Sequence, residues 1–322
     1  MKKILMGKIA DKILDVNLKM KADEKLLIVT EPEKMSIAET LAASAVRKNI
    51  EPVIAIMPPR EFDSAEPPKI IAEAMKASDA FLSVVGKSIT HSAAVKNAIA
   101  EGSRGIVLTQ FSEDMMIHGG MEADFEAIAP ECKEMAKALE NAKEVHITTP
   151  MGTDLTFNTE GRRGNALYCL VEPGQFSTAP TVEANTTPIE GTAQGKIVCD
   201  ASVPYIGIGL LDEPIVCEVK DGFITEITGG KQAKMLADNL ASMNDPNVYN
   251  IAELGIGLNP NCRFIGLMLE DEGVYGSIHI GIGTSENLGG ELRAACHYDL
   301  IMTGATVTLD GKVVLKDGEV TL

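Results

Sequence analysis

The sequence has 322 residues, a length typical of about two domains. Hydrophobic residues make up 45% and charged residues 23%, which are ordinary values for a globular protein. With 29 lysines and arginines against 46 aspartates and glutamates, the net charge is −17, and such a surface repels nucleic-acid phosphates. Apolar runs are far shorter than the ~20 residues that cross a bilayer, and the six cysteines include no C-x-x-C pair. We therefore expect a cytoplasmic protein with reduced thiols that binds neither nucleic acid nor membrane.

Short apolar runs alternate with amphipathic stretches in the first part of the chain. The pattern predicts strands over 26–29, 52–56, 80–85 and 105–109, and helices over 35–48, 69–77, 92–100 and 125–142. Buried strands that alternate with helices are typical of a parallel sheet, so we predict a doubly wound, Rossmann-like α/β domain over residues 1–147. Glycine-rich phosphate loops are absent from the sequence, and Glu31 and Glu33 follow the first strand, so we expect no bound nucleotide.

Strand-like alternation and clustered glycines replace the helical pattern in the rest of the chain. Asp-Gly pairs at residues 221–222 and 310–311 predict two hairpins, and one helix is predicted over 231–243. The predicted fold class is therefore α/β, in which the doubly wound domain is followed by a mainly antiparallel β (α+β) metal-binding domain over residues 148–322.

Three segments of this second domain alternate polar with apolar residues. His279 opposes isoleucines in one segment, His297 and Asp299 share a face in another, and Glu253 opposes an apolar trio in the third. Imidazole and carboxylate ligands suit zinc, manganese, cobalt or ferrous iron, and His279, His297 and Asp299 would form a two-histidine, one-carboxylate triad. The alternative interpretation is a surface His-x-Asp pair together with a hydrogen-bonded core histidine.

The order of these motifs resembles the aminopeptidase T / aminopeptidase S family of metallopeptidases. The similar segments lie between residues 172 and 304 and are 172–175, 180–183, 188–192, 250–257, 269–272, 277–283 and 297–299. The resemblance implies two divalent ions (Zn, Co or Mn) per chain, a small peptide or small-molecule substrate, and a homodimer. Carried over by position, the metal ligands are Glu183, Glu253, Glu272, His279, His297 and Asp299.

The resemblance implies a leucyl aminopeptidase-like hydrolase, a metalloprotease in which Glu253 also acts as the catalytic general base. Two metals would polarise the scissile carbonyl and acidify a shared water, from which Glu253 takes the proton. Glu270 competes with Glu272 for the ligand position, because the two glutamates belong to one acidic run.

The chain also departs from the peptidase pattern. Residues 281–290 contain no tyrosine, although these peptidases carry a catalytic tyrosine shortly after the first ligand histidine. The same fold family includes 2,5-dihydroxypyridine 5,6-dioxygenase, which holds one ferrous iron and opens an aromatic ring. A mononuclear Fe(II) dioxygenase that uses His279, His297 and Asp299 is therefore the alternative function. The extra carboxylates favour the peptidase, and the missing tyrosine favours the dioxygenase. A non-enzymatic metal-binding protein and a hydrolase of other amides are further alternatives.

Overall fold

The computed structural model describes residues 2–63, 65–90 and 92–322. The chain forms two compact units. The first consists of the residues up to Glu126 together with Leu167–Pro180, and the second of Ala127–Ala166 and Thr181–Leu322. The boundary predicted between residues 147 and 148 lies inside the second unit, because the strand that ends at Thr148 pairs there with two other strands. Within the described ranges, no helix is both long and apolar enough to cross a membrane.

Most of the helices and strands follow the apolar periodicity of the sequence. The helices are α1 (Lys2–Lys12), α2 (Met35–Arg47), α3 (Lys69–Ala77), α4 (Ala93–Ala100), α5 (Phe125–Asn141), α6 (Lys231–Ser242) and α7 (Met268–Asp271), with short π or 3₁₀ segments at Ile13–Asn17, Pro32–Lys34, Gly120–Glu122 and Pro246–Tyr249. The strands are β1 (Lys25–Thr30), β2 (Glu51–Ile56), β3 (Ala80–Val85), β4 (Arg104–Thr109), β5 (Glu144–Thr148), β6 (Asp154–Asn158), β7 (Asn165–Leu167), β8 (Phe176–Thr178), β9 (Glu183–Thr186), β10 (Gln194–Cys199), β11 (Ser202–Val203), β12 (Gly209–Leu210), β13 (Ile215–Lys220), β14 (Phe223–Thr228), β15 (Ile251–Gly257), β16 (Ile278–Gly283), β17 (His297–Met302), β18 (Thr306–Leu309), β19 (Lys312–Lys316) and β20 (Glu319–Val320).

The first unit contains a parallel sheet in the order β2-β1-β3-β4-β8. Strands β3 and β4 are buried along their whole length, as their apolar sequences require, and this part of the fold class prediction is confirmed. Glu31 follows β1, and its Oε2 accepts a hydrogen bond of 2.9 Å from the backbone N–H of Gly86. A carboxylate therefore lies where doubly wound sheets hold phosphate groups.

The second unit contains two largely antiparallel sheets, as predicted. One has the order β14-β13-β10-β6-β5-β18-β19-β20, and the other, which we call the site sheet, has the order β12-β11-β17-β16-β15-β9-β7. Both predicted hairpins form. Asp221 and Gly222 have φ values of 51° and 83°, and Asp310 and Gly311 have 48° and 84°. Two successive residues with positive φ are the signature of the type I′ turn that Asp-Gly pairs favour.

Candidate metal centre

The predicted donors of β15, β16 and β17 lie on one face of the site sheet, and aliphatic residues are buried on the other face. Strand pairing places Gly281 between Glu253 and Asp299. His279 and His297 lie two residues before Gly281 and Asp299, respectively, and therefore project from the same face. Glu253, His279 and Asp299 are at most 4% exposed, whereas 25% of the His297 side-chain surface is exposed. The sheet therefore brings these four side chains together. Three of them are almost completely buried, and only His297 is partly exposed to solvent.

Two glycines make room for the imidazole rings. A Cβ atom on Gly255 would lie 2.0 Å from His279 Nε2, and a Cβ atom on Gly281 would lie 2.8 Å from His297 Nε2. Neither position tolerates a side chain without movement of a ring, because ordinary carbon contacts are about 3.5–4.0 Å. The glycines that alternate with the donors are therefore part of the site.

The donor atoms form two groups that share Glu253. His297 Nε2 lies 2.9 Å from Glu253 Oε2 and 3.4 Å from Asp299 Oδ1. His279 Nε2 lies 3.5 Å from Glu183 Oε2 and 3.9 Å from Glu253 Oε1. Within each group, the donor atoms lie within 4.8 Å of one another, a separation that a single ion can bridge. The structure thus brings together five of the six predicted site residues.

The sixth predicted residue, Glu272, lies directly after α7 and outside both groups. Its Oε1 is 3.2 Å from the hydroxyl of Tyr205, which also donates a hydrogen bond to Asp299 Oδ2. Glu270, its competitor in the sequence, instead lies beside Arg263, with 3.6 Å between Oε1 and Nε. Glu272 is therefore the member of the acidic run that is connected to the cluster.

Hydrogen bonds outside the donor set orient two of the donors. The Nδ1–H of His297 donates to the backbone oxygen of Thr284 at 2.9 Å, which leaves Nε2 to face Glu253 and Asp299. Because a carbonyl oxygen can only accept, this contact requires the proton to be on Nδ1. Comparable ring orientation by an outer partner is usual for metal-binding histidines.

Sequence reasoning missed three of these orienting residues. Asn185 Nδ2 donates to Glu183 Oε1 at 2.8 Å, while Tyr205 and Thr284 make the contacts described above. Asn185 could have been found, because it lies two residues after Glu183 in β9 and so shares its face. Tyr205 and Thr284 lie in loops and belong to no pattern, so only the folded chain reveals them.

Burial and mutual repulsion separate the pKa values of the clustered groups. Burial raises the pKa of Glu183 to about 7 against the opposing charge of His279. Burial raises that of Glu272 well above its usual range, and Asp299 adds to the effect. Burial alone would raise the pKa of Asp299 as well, but His297 holds it below its usual value. Burial would lower the pKa of His279, yet Glu253 and Glu183 raise it to about 9.

These residues fit a bound divalent metal ion. Four carboxylates surround two imidazoles, and the raised pKa values of Glu183 and Glu272 indicate that this cluster does not hold four negative charges without additional positive charge. In the described part of the chain, the buried atoms Glu183 Oε2 and Asp299 Oδ1 have no hydrogen-bond partner. Buried polar atoms usually have one, and a cation that binds imidazole and carboxylate would satisfy both the unpaired atoms and the charge.

Comparison with known proteins points to one enzyme family. Residues 17–322 match the family model for 2,5-dihydroxypyridine 5,6-dioxygenase. The 2,5-dihydroxypyridine 5,6-dioxygenase of Pseudomonas putida KT2440 is 29% identical over 195 residues, which are 56% of this chain and 55% of that relative. The sequence alignment thus spans about half the length of the curated relative.

Two solved structures share the fold. The 2,5-dihydroxypyridine dioxygenase structure from Pseudomonas putida KT2440 has a TM-score of 0.84 and 20% identity, covering 99% of this chain and 97% of that one. AmpT from Thermus thermophilus has a TM-score of 0.71 and 17% identity, covering all of both chains. The prediction of a hydrolase, aminopeptidase or protease is wrong, because the family match is to dioxygenases. The likeness to AmpT extends to the fold alone.

Proposed function

Because the chain belongs to the 2,5-dihydroxypyridine 5,6-dioxygenase family, we propose that it is an Fe(II)-dependent dioxygenase that opens a dihydroxylated aromatic ring. The observation that carries the proposal is the buried arrangement of His279, His297 and Asp299 around Glu253 on one sheet face. Two imidazoles and one carboxylate are the donor set of many non-haem Fe(II) oxygenases. The family match extends over all of these residues.

One ferrous ion would be held by His279 from one group and by His297 and Asp299 from the other, where the two groups meet at Glu253, in place of the pair of Zn, Co or Mn ions expected from the peptidase resemblance. Bound Fe(II) supplies the redox chemistry through which dioxygen reacts with an electron-rich ring. Glu183 and Glu272 are buried beside this set, and the positive charge of a bound ion would favour their ionised forms. The protein contributes the donors, their orientation and the exclusion of water.

Glu253 is placed to move a proton during substrate binding. Its Oε2 lies 2.9 Å from His297 Nε2, so a ring hydroxyl that approaches that nitrogen also comes within hydrogen-bond reach of the carboxylate. Glu253 would accept the hydroxyl proton, while Thr284 keeps the His297 proton on Nδ1. Tyr205 would hold Asp299 in place throughout, because its hydroxyl donates to Oδ2.

The test is oxygen consumption by Fe(II)-loaded protein that has been purified without oxygen. We expect oxygen-dependent loss of 2,5-dihydroxypyridine and about one iron per chain. His297→Ala and Asp299→Asn should each lower iron affinity and turnover by more than ~100-fold, a loss larger than that of an outer-shell partner. A compound that lacks one ring hydroxyl should be a much poorer substrate, because the buried acceptor then stays unpaired.

A second histidine–aspartate pair provides the matched control. His146 Nε2 and Asp154 Oδ1 are 2.8 Å apart on an exposed part of the other sheet, so His146→Ala and Asp154→Asn should keep full activity. Consumption of 2,5-dihydroxypyridine in the absence of oxygen, or full iron binding by His297→Ala, would contradict the proposed function. The predicted homodimer is independent of this reaction and is checked by light scattering of the same preparations.

A further inference from the structure

The loop between β16 and β17 connects the strands that carry the two histidines. We call residues 284–296 the site loop. The backbone oxygen of its first residue, Thr284, accepts a hydrogen bond of 2.9 Å from the Nδ1–H of His297. The backbone N–H of Thr284 donates to the backbone oxygen of Cys296, also at 2.9 Å. The position of this loop therefore decides how the His297 ring is oriented toward Glu253 and Asp299.

Glu190 holds the site loop from one side. Its Oε1 accepts hydrogen bonds from the Ser285 hydroxyl and from the backbone N–H of Glu291, both at 2.8 Å. Its Oε2 forms an ion pair with Arg162, and the other terminal nitrogen of Arg162 donates to the backbone oxygen of Gly289 at 2.8 Å. Carboxylate and guanidinium thus form a clasp that ties three points of one loop together.

The clasp is well shielded from water. The side chains of Arg162 and Glu190 are 12% and 21% exposed, which makes the pair stronger than an open surface ion pair. Partial burial alone would raise the pKa of Glu190, but the N–H of Glu291, the Ser285 hydroxyl and Arg162 hold it below its usual range. The carboxylate therefore stays ionised at neutral pH, as the clasp requires.

A second connection joins the site loop to another site carboxylate. Asn165 Nδ2 lies 3.4 Å from the backbone oxygen of Leu288 and donates to Asn185 Oδ1 at 2.8 Å. Asn185 in turn donates to Glu183 Oε1 at 2.8 Å. Arg163 contacts the same stretch of loop, since its Nη2 donates to the backbone oxygen of Asn287 at 3.0 Å. The loop is thus linked to both halves of the donor cluster.

We propose that Glu190 and Arg162 are positioning residues of the metal site, which hold the site loop so that Thr284 fixes the orientation of His297. The inference rests on the metal site proposed above. Neither residue touches the donors, so the effect passes through Ser285 and the backbone of the loop. Outer partners of metal-binding histidines commonly change metal affinity by about 10–100-fold.

The experiment is a Co(II) titration of anaerobically purified protein, followed by the visible absorption bands of the bound ion. We compare the wild type with Glu190→Gln, which removes the negative charge of the clasp, and with Ser285→Ala, which removes the hydroxyl that donates to Glu190. Both variants should bind Co(II) roughly 10–100-fold more weakly, with altered band intensities that report a changed ligand geometry. Thermal unfolding of the metal-free forms is measured alongside.

The matched control is Glu160→Gln, the same change in the turn that precedes Arg162. Glu160 pairs with Lys143 at 2.6 Å on the exposed surface, so its loss should leave Co(II) affinity within about twofold of the wild type. If folded Glu190→Gln and Ser285→Ala keep the Co(II) affinity and the absorption bands of the wild type, the proposed positioning role is wrong, even if the variants have a lower melting temperature. If Glu190→Gln does not fold, Ser285→Ala decides. Failure of the wild type to bind Co(II) would instead refute the metal site itself.

Discussion

Gly255→Ala is the sharpest test of how the sheet forms the metal site. The added Cβ would lie 2.0 Å from His279 Nε2 and 2.2 Å from its Cε1. Ordinary contacts need about 3.5 Å or more, so the ring must move by more than ~1 Å. The imidazole is the mobile end of a side chain, whereas the β15 backbone is fixed between β16 and β9. We therefore expect the ring to move and the sheet to stay.

Stability and metal binding should respond very differently to this substitution. Overpacking a core position costs about 1–3 kcal/mol, and replacing a strand glycine by alanine returns about 0.5–1 kcal/mol. The net loss of about 1–2 kcal/mol lowers the melting temperature by only a few degrees in a chain of this size. Metal ligands must keep their distances within about 0.2 Å, so a ring shift above ~1 Å should weaken metal binding by ~100-fold or more.

The assay is Co(II) or Fe(II) titration together with thermal unfolding of the metal-free proteins. Gly281→Ala should weaken metal binding less than Gly255→Ala does, because its Cβ would lie 2.8 Å from His297 Nε2, which is a less severe overlap. Gly7→Ala is the control, since a Cβ there meets nothing within 4 Å and a helix gains stability from alanine. Wild-type metal affinity in a folded Gly255→Ala protein would refute the assignment of His279 to the site.

Two further substitutions test contacts in the two units. Tyr205→Phe keeps the aromatic ring, whose centroid lies 4.8 Å from that of Tyr298, but removes the hydroxyl that donates to Asp299. Metal affinity should therefore fall about tenfold with little change in melting temperature, and an unchanged Co(II) titration would contradict this role. Glu24→Ala removes the carboxylate 2.6 Å from Arg104, whose side chain is 5% exposed, and chemical denaturation should show a loss of about 2–3 kcal/mol. Glu73→Ala breaks an exposed helical pair and should cost under ~0.5 kcal/mol, and equal losses in both variants would contradict the argument.

The sequence predicts best those elements whose apolar pattern is local. Strands β3 and β4 are short, mostly apolar segments, and helices α2 to α4 have one buried stripe, so their positions follow from the apolar pattern. Helix α1 cannot be predicted in this way, because Ile4 and Leu5 are 81% and 52% exposed and its apolar residues therefore do not lie on one face. Strand β8 cannot be predicted for another reason: three residues pair with β4, which lies far earlier in the chain. No local pattern specifies such a partner.

The donor residues are predictable because they alternate with apolar or amphipathic residues along strands. Glu253, His279, His297 and Asp299 all follow this rule, and the pairing of β15, β16 and β17 then brings them together. Their orientation is not predictable, because it depends on a loop carbonyl and on a tyrosine from a distant loop. The excess of carboxylates over imidazoles in the buried cluster, which favours a cation, likewise becomes visible only when the distances between the side chains are known.

The reaction itself could not be deduced from the donors, because imidazole and carboxylate side chains serve hydrolytic and oxidative metal sites alike. The sequence feature that favoured the dioxygenase was the segment after His279, where residues 281–290 lack the tyrosine expected from the peptidase resemblance, and the family match supports the same choice. In the folded chain, most of this segment belongs to the site loop, which Glu190 and Arg162 hold against the metal centre. The sheet thus fixes where the donors lie, and the site loop orients His297 through the backbone oxygen of Thr284. One fold can then support different chemistry, since loops on a rigid scaffold change more readily than the scaffold does.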